Sequence, residues 1–143
     1  MIARLRRRLR HRTDEPDRDR GSISMEIAVL GPVLLLLIFT IVQLGLWFYA
    51  RNLALAAAQE GVTAARAYGA NPSAGVSRAR TFLDQQAGDS LTQTVATSSG
   101  STPTHVRIEV TGRALSIIPG LPGLQVTQSA DAPVERFTTA TTP

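Results

Sequence analysis

The residues that could do chemistry in this 143-residue chain are few and scattered. Cysteine is absent, which excludes disulfides and thiolate metal ligands. The two histidines, His11 and His105, lie in unrelated contexts and are too few for a persuasive zinc site. Asp84 and Asp89 flank the end of a predicted helix, where solvated carboxylates are ordinary. Because the motifs of phosphate-binding loops, serine nucleophiles and zinc proteases are also missing, we expect no enzyme, no cofactor and no metal site.

Glu26 is the one ionisable residue in an unusual place, at the start of a long apolar segment. The next charged residue is Arg51, and the 24 residues between them are uncharged and mostly apolar. A carboxylate in the first turn of a helix is favoured by the helix dipole, so an interfacial position is the simplest explanation. A capping box does not fit, because it needs serine three residues earlier, whereas Ser22 and Ser24 lie four and two residues earlier.

The apolar segment predicts a transmembrane helix over 22–50. At ~1.5 Å per residue, 24 helical residues reach about 36 Å, which exceeds the ~30 Å of a bilayer's hydrocarbon core. Trp47 and Tyr49 stand at its far end, where amphipathic rings favour the interface. A cleaved secretory signal is the alternative, supported by small-x-small patterns over 54–58, but the apolar region of such signals runs only ~7–15 residues.

The arginines predict the orientation of this helix. Residues 1–20 hold eight of the fifteen basic residues and four acids, whereas the remainder of the chain is balanced. The positive-inside bias therefore predicts a basic cytoplasmic leader over 1–21 and an extracytoplasmic C-terminal part. We expect the lipid bilayer as a partner. We do not expect nucleic acid, because the basic arm has no aromatic residues and adjoins a membrane segment.

Helical patterns continue beyond the membrane. One continuous helix is predicted from about Ser22 to Tyr68, with an amphipathic second half. Its close-packing stripe is Leu53, Ala57, Gly61, Ala64 and Tyr68. Gly69 should end this helix, and Asn71-Pro72 should begin a second one that runs to about Ala87. The apolar face of that second helix is Val76, Ala79, Phe82, Leu83 and Gln86.

The rest of the chain predicts a small antiparallel sheet. Alternation over 106–111 indicates a half-buried strand, and weaker patterns indicate strands over 124–129 and 91–97. Because an isolated hairpin is marginal in water, this sheet should lie against the amphipathic half of the long helix. The predicted organisation is therefore an α+β, membrane-anchored protein with an outer domain over 51–137 and a disordered tail over 138–143.

The stretch around Glu26 resembles the processing site of type IV pilins and pseudopilins. In that pattern a prepilin peptidase cuts after the glycine, here Gly21, so that Ser22 becomes the first mature residue and Glu26 the fifth. The downstream residues resemble the TadE-like family of tight-adherence pilus assembly proteins. They are Pro32 within the apolar helix, Tyr49-Ala50-Arg51 at its exit and the late segment 132–137. The resemblance covers about residues 20–137 and implies a pilin-like fold.

Two functions follow from these observations. The resemblance implies a minor pseudopilin-like structural component of a bacterial Flp/Tad-type pilus or a related secretion apparatus at the cell surface. Its partners would be other pilin-like or Tad assembly subunits and, if the chain is processed, a prepilin peptidase. Gly21 and Ser22 would form the cleavage site, and Glu26 would act in assembly or recognition. The alternative is a single-pass, signal-anchored protein whose extracytoplasmic domain is a generic binding module.

Overall fold

The computed structural model describes residues 17–67, 69–118 and 120–135, and describes side chains from Met25 onward within those ranges. Most of the predicted basic leader, Tyr68 and the predicted disordered tail lie outside the described residues, so the expectations about them stay predictions.

Two helices precede a three-stranded sheet. Helix α1 spans Asp17–Arg66 and helix α2 spans Pro72–Gln86. Strands β1 (Leu91–Thr97), β2 (His105–Ala114) and β3 (Gln125–Pro133) follow in chain order. The sheet order is β1-β2-β3, and both neighbouring pairs are antiparallel. This architecture confirms the predicted α+β class, with one long N-terminal apolar helix, a short second helix and a small antiparallel sheet.

The bounds of α1 differ by a few residues from the predicted Ser22–Tyr68. Its described part begins at Asp17, where the described residues of the chain begin. It ends at Arg66, where the chain turns through a hydrogen bond from the Ala70 amide to the Ala67 carbonyl. Gly69 follows with φ of +75°, a conformation that favours glycine. Pro32 lies within the helix and lacks the N–H that would bond to the carbonyl of Ala28.

The chain divides into two compact units. The first ends at Thr40, and its described part is a portion of α1. The second begins at Ile41 and contains the rest of α1, α2 and the sheet. All of the buried apolar residues among the described ones belong to the second unit.

The buried face of α1 in the second unit is broader than the predicted stripe. Leu53, Ala57 and Gly61 are buried as predicted, whereas Ala64 is only half-buried. Val62 lies outside the predicted stripe and is nevertheless only 5% exposed. Two adjacent residues are buried in most turns of this part of α1, because α2 and the sheet both pack against the helix. Its members are Ala50, Leu53, Ala54, Ala57, Ala58, Gly61, Val62 and Ala65.

Helix α2 begins and ends as predicted, within one residue. The Asn71 side chain accepts a hydrogen bond of 3.0 Å from the Ala74 amide, and Pro72 occupies the first helical position. The buried residues are Gly75, Ala79 and Leu83, with Val76 and Phe82 partly buried beside them. Gln86, predicted on this face, is exposed, whereas the next residue, Ala87, is buried and continues the four-residue spacing of Ala79 and Leu83.

The central strand β2 supplies the largest side chains that are fully buried. Val106, Ile108 and Val110 are all at most 1% exposed, as their alternation predicted. The weak pattern of β1 has a local cause: its pairing with β2 shifts register between Thr92 and Val95. The third strand begins at Gln125, one residue after the predicted start.

A close crossing of α1 and α2 lies over β2. A Cβ atom built on Gly75 would stand 2.6 Å from the Gly61 carbonyl oxygen and 2.7 Å from the Ala65 Cβ. A Cβ atom on Gly61 would stand 2.8 Å from the Gly75 carbonyl oxygen and 3.1 Å from the Ile108 Cγ2. Neither helix can therefore carry a side chain at the crossing without moving backbone, and Ile108 fills the space beneath both glycines.

We expect Gly75→Val to destabilise the folded unit, because the added atoms would force the two helices apart. The cost of such overpacking is typically about 1–3 kcal/mol. The measurement is urea unfolding of the full-length protein in detergent micelles, followed by circular dichroism. Ser77→Val places the same side chain on the exposed face of α2 and should change stability little. Equal losses from the two variants would contradict the close crossing.

Candidate assembly and membrane surface

The first functional feature is the uncovered apolar surface of α1. Every large apolar side chain from Met25 to Phe39 is at least 43% exposed. Within the described residues, this helix alone is long and apolar enough to cross a membrane, judged by length and composition. Burying so much exposed apolar surface requires lipid or other protein.

The predicted processing and assembly residues lie in the first turns of α1. Gly21 and Ser22 belong to the helix, so the peptide bond of the expected cleavage site is helical in this structure. Glu26 is exposed and lies four residues after Ser22, which puts the two positions on one face of the helix and one turn apart. Glu26 is the single charged residue between Arg20 and Arg51.

A second feature, which sequence reasoning missed, begins within the apolar segment at Gln43. Its carboxamide nitrogen donates a hydrogen bond of 3.1 Å to the Leu115 carbonyl, and its carboxamide oxygen accepts one of 3.2 Å from the Ile117 amide. Gln43 thus supplies both a donor and an acceptor to the backbone of the connection between β2 and β3. The only sequence signal for this role was an amide side chain in an otherwise apolar run.

Trp47 fixes the same connection one turn further along α1. Its indole N–H donates a hydrogen bond of 3.5 Å to the Gln125 carbonyl at the start of β3. The guanidinium carbon of Arg51 lies 5.7 Å from the centroid of the Trp47 ring, within the range of a cation–π contact. Trp47, predicted at the membrane interface, is thus also partly buried against the core of the second unit.

The connection itself is apolar, and its described residues, 115–118 and 120–124, are named the apolar loop. No charged residue occurs between Arg113 and Asp131. Four large side chains of the loop are exposed by 40–57%; they are Leu115, Ile118, Leu121 and Leu124. The prolines and glycines of 119–123 by themselves predict only a turn. The signal that could have identified it was the recurrence of leucine and isoleucine among its prolines and glycines.

Two ion pairs join elements of the second unit at its surface. The Arg78 guanidinium nitrogen lies 3.1 Å from a Glu60 carboxylate oxygen, which joins α2 to α1. The Arg66 Nε lies 3.8 Å from the Glu135 Oε1, which joins the end of α1 to the segment after β3. Both pairs are substantially exposed, so each contributes little to stability.

An open groove of about 390 Å³ separates α1 from β3. Helix residues line one wall and strand residues the other; they are Leu55, Gln59, Val62, Thr63, Arg66, Ser129, Ala130, Asp131 and Ala132. Among the residues that the structure describes, no three His, Asp or Glu side chains are close enough to hold a metal ion together.

Comparison with known proteins supports the resemblance in the N-terminal part of the chain. The family model for TadE-like protein matches residues 21–63, which are 43 of the 143 residues. This match confirms the suspected TadE-like resemblance and contains Gly21, Ser22, Glu26, Gln43 and Trp47. It ends before the late segment that was expected to share the resemblance. No curated protein and no solved structure matches the chain.

We expect Gln43→Leu to loosen the apolar loop, because the Ile117 amide and the Leu115 carbonyl would lose their partner. Leaving the partly buried Ile117 amide without its partner costs up to about 3 kcal/mol, which corresponds to at most roughly 150-fold faster exchange of its hydrogen. Hydrogen exchange of the full-length protein in nanodiscs measures this rate. Gln59→Leu makes the same replacement at an exposed position of α1 and should leave the Ile117 rate unchanged. Unaltered Ile117 exchange in the Gln43 variant would contradict the bridge.

Proposed function

We propose that this protein is a minor pseudopilin-like structural component of a Flp/Tad-type pilus assembly or a related secretion apparatus, and that it is not an enzyme. The observation that carries the proposal is the TadE-like match, because it covers the glycine, the glutamate and the apolar helix in one segment. The uncovered apolar surface of α1 supports the proposal, since pilin-like helices pack side by side.

The proposed role of Glu26 is to favour association. If a prepilin peptidase cuts after Gly21, Ser22 carries a new positive amine close to the membrane face. A charge at the bilayer centre costs ~2.5–3.5 kcal/mol on insertion scales, and less near the interface. A neighbouring subunit's amine would pair with the exposed Glu26 carboxylate and offset that cost. Lone subunits would then carry an unpaired acid, whereas assembled ones would not.

Cleavage requires a local change in α1, since Gly21 and Ser22 are helical. A peptidase would need to unwind this part of the helix to reach the peptide bond. Glycine disfavours a helix interior by about 1 kcal/mol relative to alanine, so Gly21 makes unwinding easier at this position.

The proposed location is a cell membrane, crossed once, with the arginine-rich leader in the cytoplasm and the domain outside. The arginine asymmetry supports this orientation. The alternative proposal, a signal-anchored binding module, is favoured by the groove between α1 and β3, where Arg66 and Asp131 could bind a polar ligand.

We expect protease added to intact spheroplasts to digest residues 70–143 and to spare the arginine-rich leader. The reason is that only extracytoplasmic segments are accessible before the membrane is opened. Epitope tags at the two ends, detected by immunoblotting before and after lysis, measure this. Protection of the C-terminal tag in intact spheroplasts would overturn the orientation.

We expect Gly21→Phe to block processing, so that intact mass and N-terminal sequencing find the leader still attached.

We expect Glu26→Gln to insert into the membrane normally but to lose site-specific crosslinks to pilus-machinery subunits, since its neutral side chain cannot pair with an amine. Glu109→Gln makes the same substitution in a surface ion pair of the outer domain and should crosslink like the wild type.

Wild-type crosslinking by Glu26→Gln would remove Glu26 from the assembly mechanism and leave it as an interfacial residue. An absence of crosslinks from the wild-type protein to any pilin-like subunit would favour the binding module over the structural component.

A further inference from the structure

The apolar loop lies against a part of α1 that belongs to the membrane-length segment. Gln43, which holds the loop backbone, is eight residues before Arg51, the first charged residue after the segment. Eight helical residues correspond to about 12 Å along the helix axis. The second unit therefore extends alongside the apolar segment rather than beginning where that segment ends.

The length of the segment limits where the membrane boundary can be. The 24 uncharged residues exceed the ~20 needed to cross the hydrocarbon core by about four. If the crossing begins at Ile27, directly after Glu26, and all of this surplus lies at the outer end, the boundary falls at Trp47. Gln43 is then still one turn, about 6 Å, inside the hydrocarbon. The loop backbone bonded to Gln43 shares that depth.

Part of the loop backbone is hydrogen-bonded within the protein. Irregular backbone at membrane depth is tolerated only where it is buried in protein or lines a water-filled cavity, so the loop backbone has to lie against the protein and bond to it. The Leu115 amide bonds to the Ser90 carbonyl, the Ile117 amide to Gln43, and the Leu121 amide to the Ile118 carbonyl. The Ile118 amide bonds to the Ser116 hydroxyl, and Pro122 has no N–H at all.

The side chains of the loop are also arranged for lipid. Its leucine and isoleucine side chains are exposed, and so are Ile41, Val42 and Leu44 on the part of α1 that carries Gln43. The nearest charge, Arg113, directs a guanidinium nitrogen to the Gly123 carbonyl at 3.2 Å, at the base of the loop. Arg113 directly before the loop and Arg51 directly after the apolar segment are thus the nearest cations, and both could contact lipid headgroups.

We propose that the apolar loop inserts into the outer leaflet of the bilayer beside α1, with its leucine and isoleucine side chains in contact with lipid acyl chains. The outer domain then has two membrane contacts, the helix and the loop, and cannot rotate freely about the helix axis. This inference rests on the proposed single-pass membrane anchoring but not on a role in pilus assembly.

The test uses the absence of cysteine from the natural chain. Single-cysteine variants of the full-length protein are labelled with an environment-sensitive fluorophore and placed in nanodiscs that hold one copy each. Ile118→Cys and Leu121→Cys report on the loop. Thr102→Cys reports on the exposed turn at the opposite end of the sheet, and Leu36→Cys reports on the apolar segment. Quenching is compared between lipids with a nitroxide near the top of the acyl chain and iodide in the water.

We expect blue-shifted emission at positions 118 and 121. Nitroxide lipid should quench most of the fluorescence there, and iodide should quench little of it. Position 102 should show the reverse. Iodide quenching at both loop positions, with position 36 quenched by nitroxide lipid, would overturn the loop insertion while leaving the anchoring intact. Failure of nitroxide quenching at position 36 would overturn the anchoring and the loop insertion together.

A second copy of the chain is the competing cover for the loop. It predicts iodide quenching at 118 and 121 in single-copy nanodiscs and protection from iodide in vesicles densely loaded with the protein. That pattern would also overturn the lipid contact, because a bilayer protects the loop at either density.

Discussion

The close approach of two glycines, Gly61 on α1 and Gly75 on α2, is the constraint on which the folded unit depends. Because neither position carries a side chain, the helix backbones meet, and Ile108 from β2 fills the space directly beneath them. The small residues that surround this crossing, chiefly alanines of α1, let the sheet lie close to both helices. The core is therefore built from short side chains on the helices and branched side chains on the central strand, and its stability comes from close contact rather than from large aromatic groups.

This packing also determines how α1 can serve two environments. In the second unit the helix buries one broad face against α2 and the sheet and leaves polar residues such as Asn52, Gln59 and Thr63 in solvent. Further toward the N-terminus its large apolar side chains are exposed all round, which suits lipid or neighbouring helices. Gln43 and Trp47 lie where the two patterns overlap, and they use their polar atoms to hold backbone of the β2–β3 connection.

The sequence by itself determined the local features that depend on neighbouring residues. Alternation gave the buried side of β2, Asn71 and Pro72 gave the start of α2, and uninterrupted hydrophobicity gave the membrane-length segment. These predictions agreed with the structure because helix capping, strand alternation and apolar length are properties of a short stretch of chain. The TadE-like resemblance around Gly21 and Glu26 was likewise legible as a local motif, and the family match supports it over residues 21–63.

Tertiary structure alone decided which surfaces meet. Val62 is buried and Ala64 only half-buried, because two elements rather than one cover α1 and shift the buried face around the helix axis. Nothing in the sequence around Gly75 sets it apart from its neighbours. Its role comes from the close approach of Gly61 on α1, fourteen residues earlier in the chain. The sequence around Gln43 does not indicate its partners, Leu115 and Ile117, because they are more than seventy residues away along the chain. Long-range pairing of this kind is set by how the whole core closes, and no periodicity within a short window contains it.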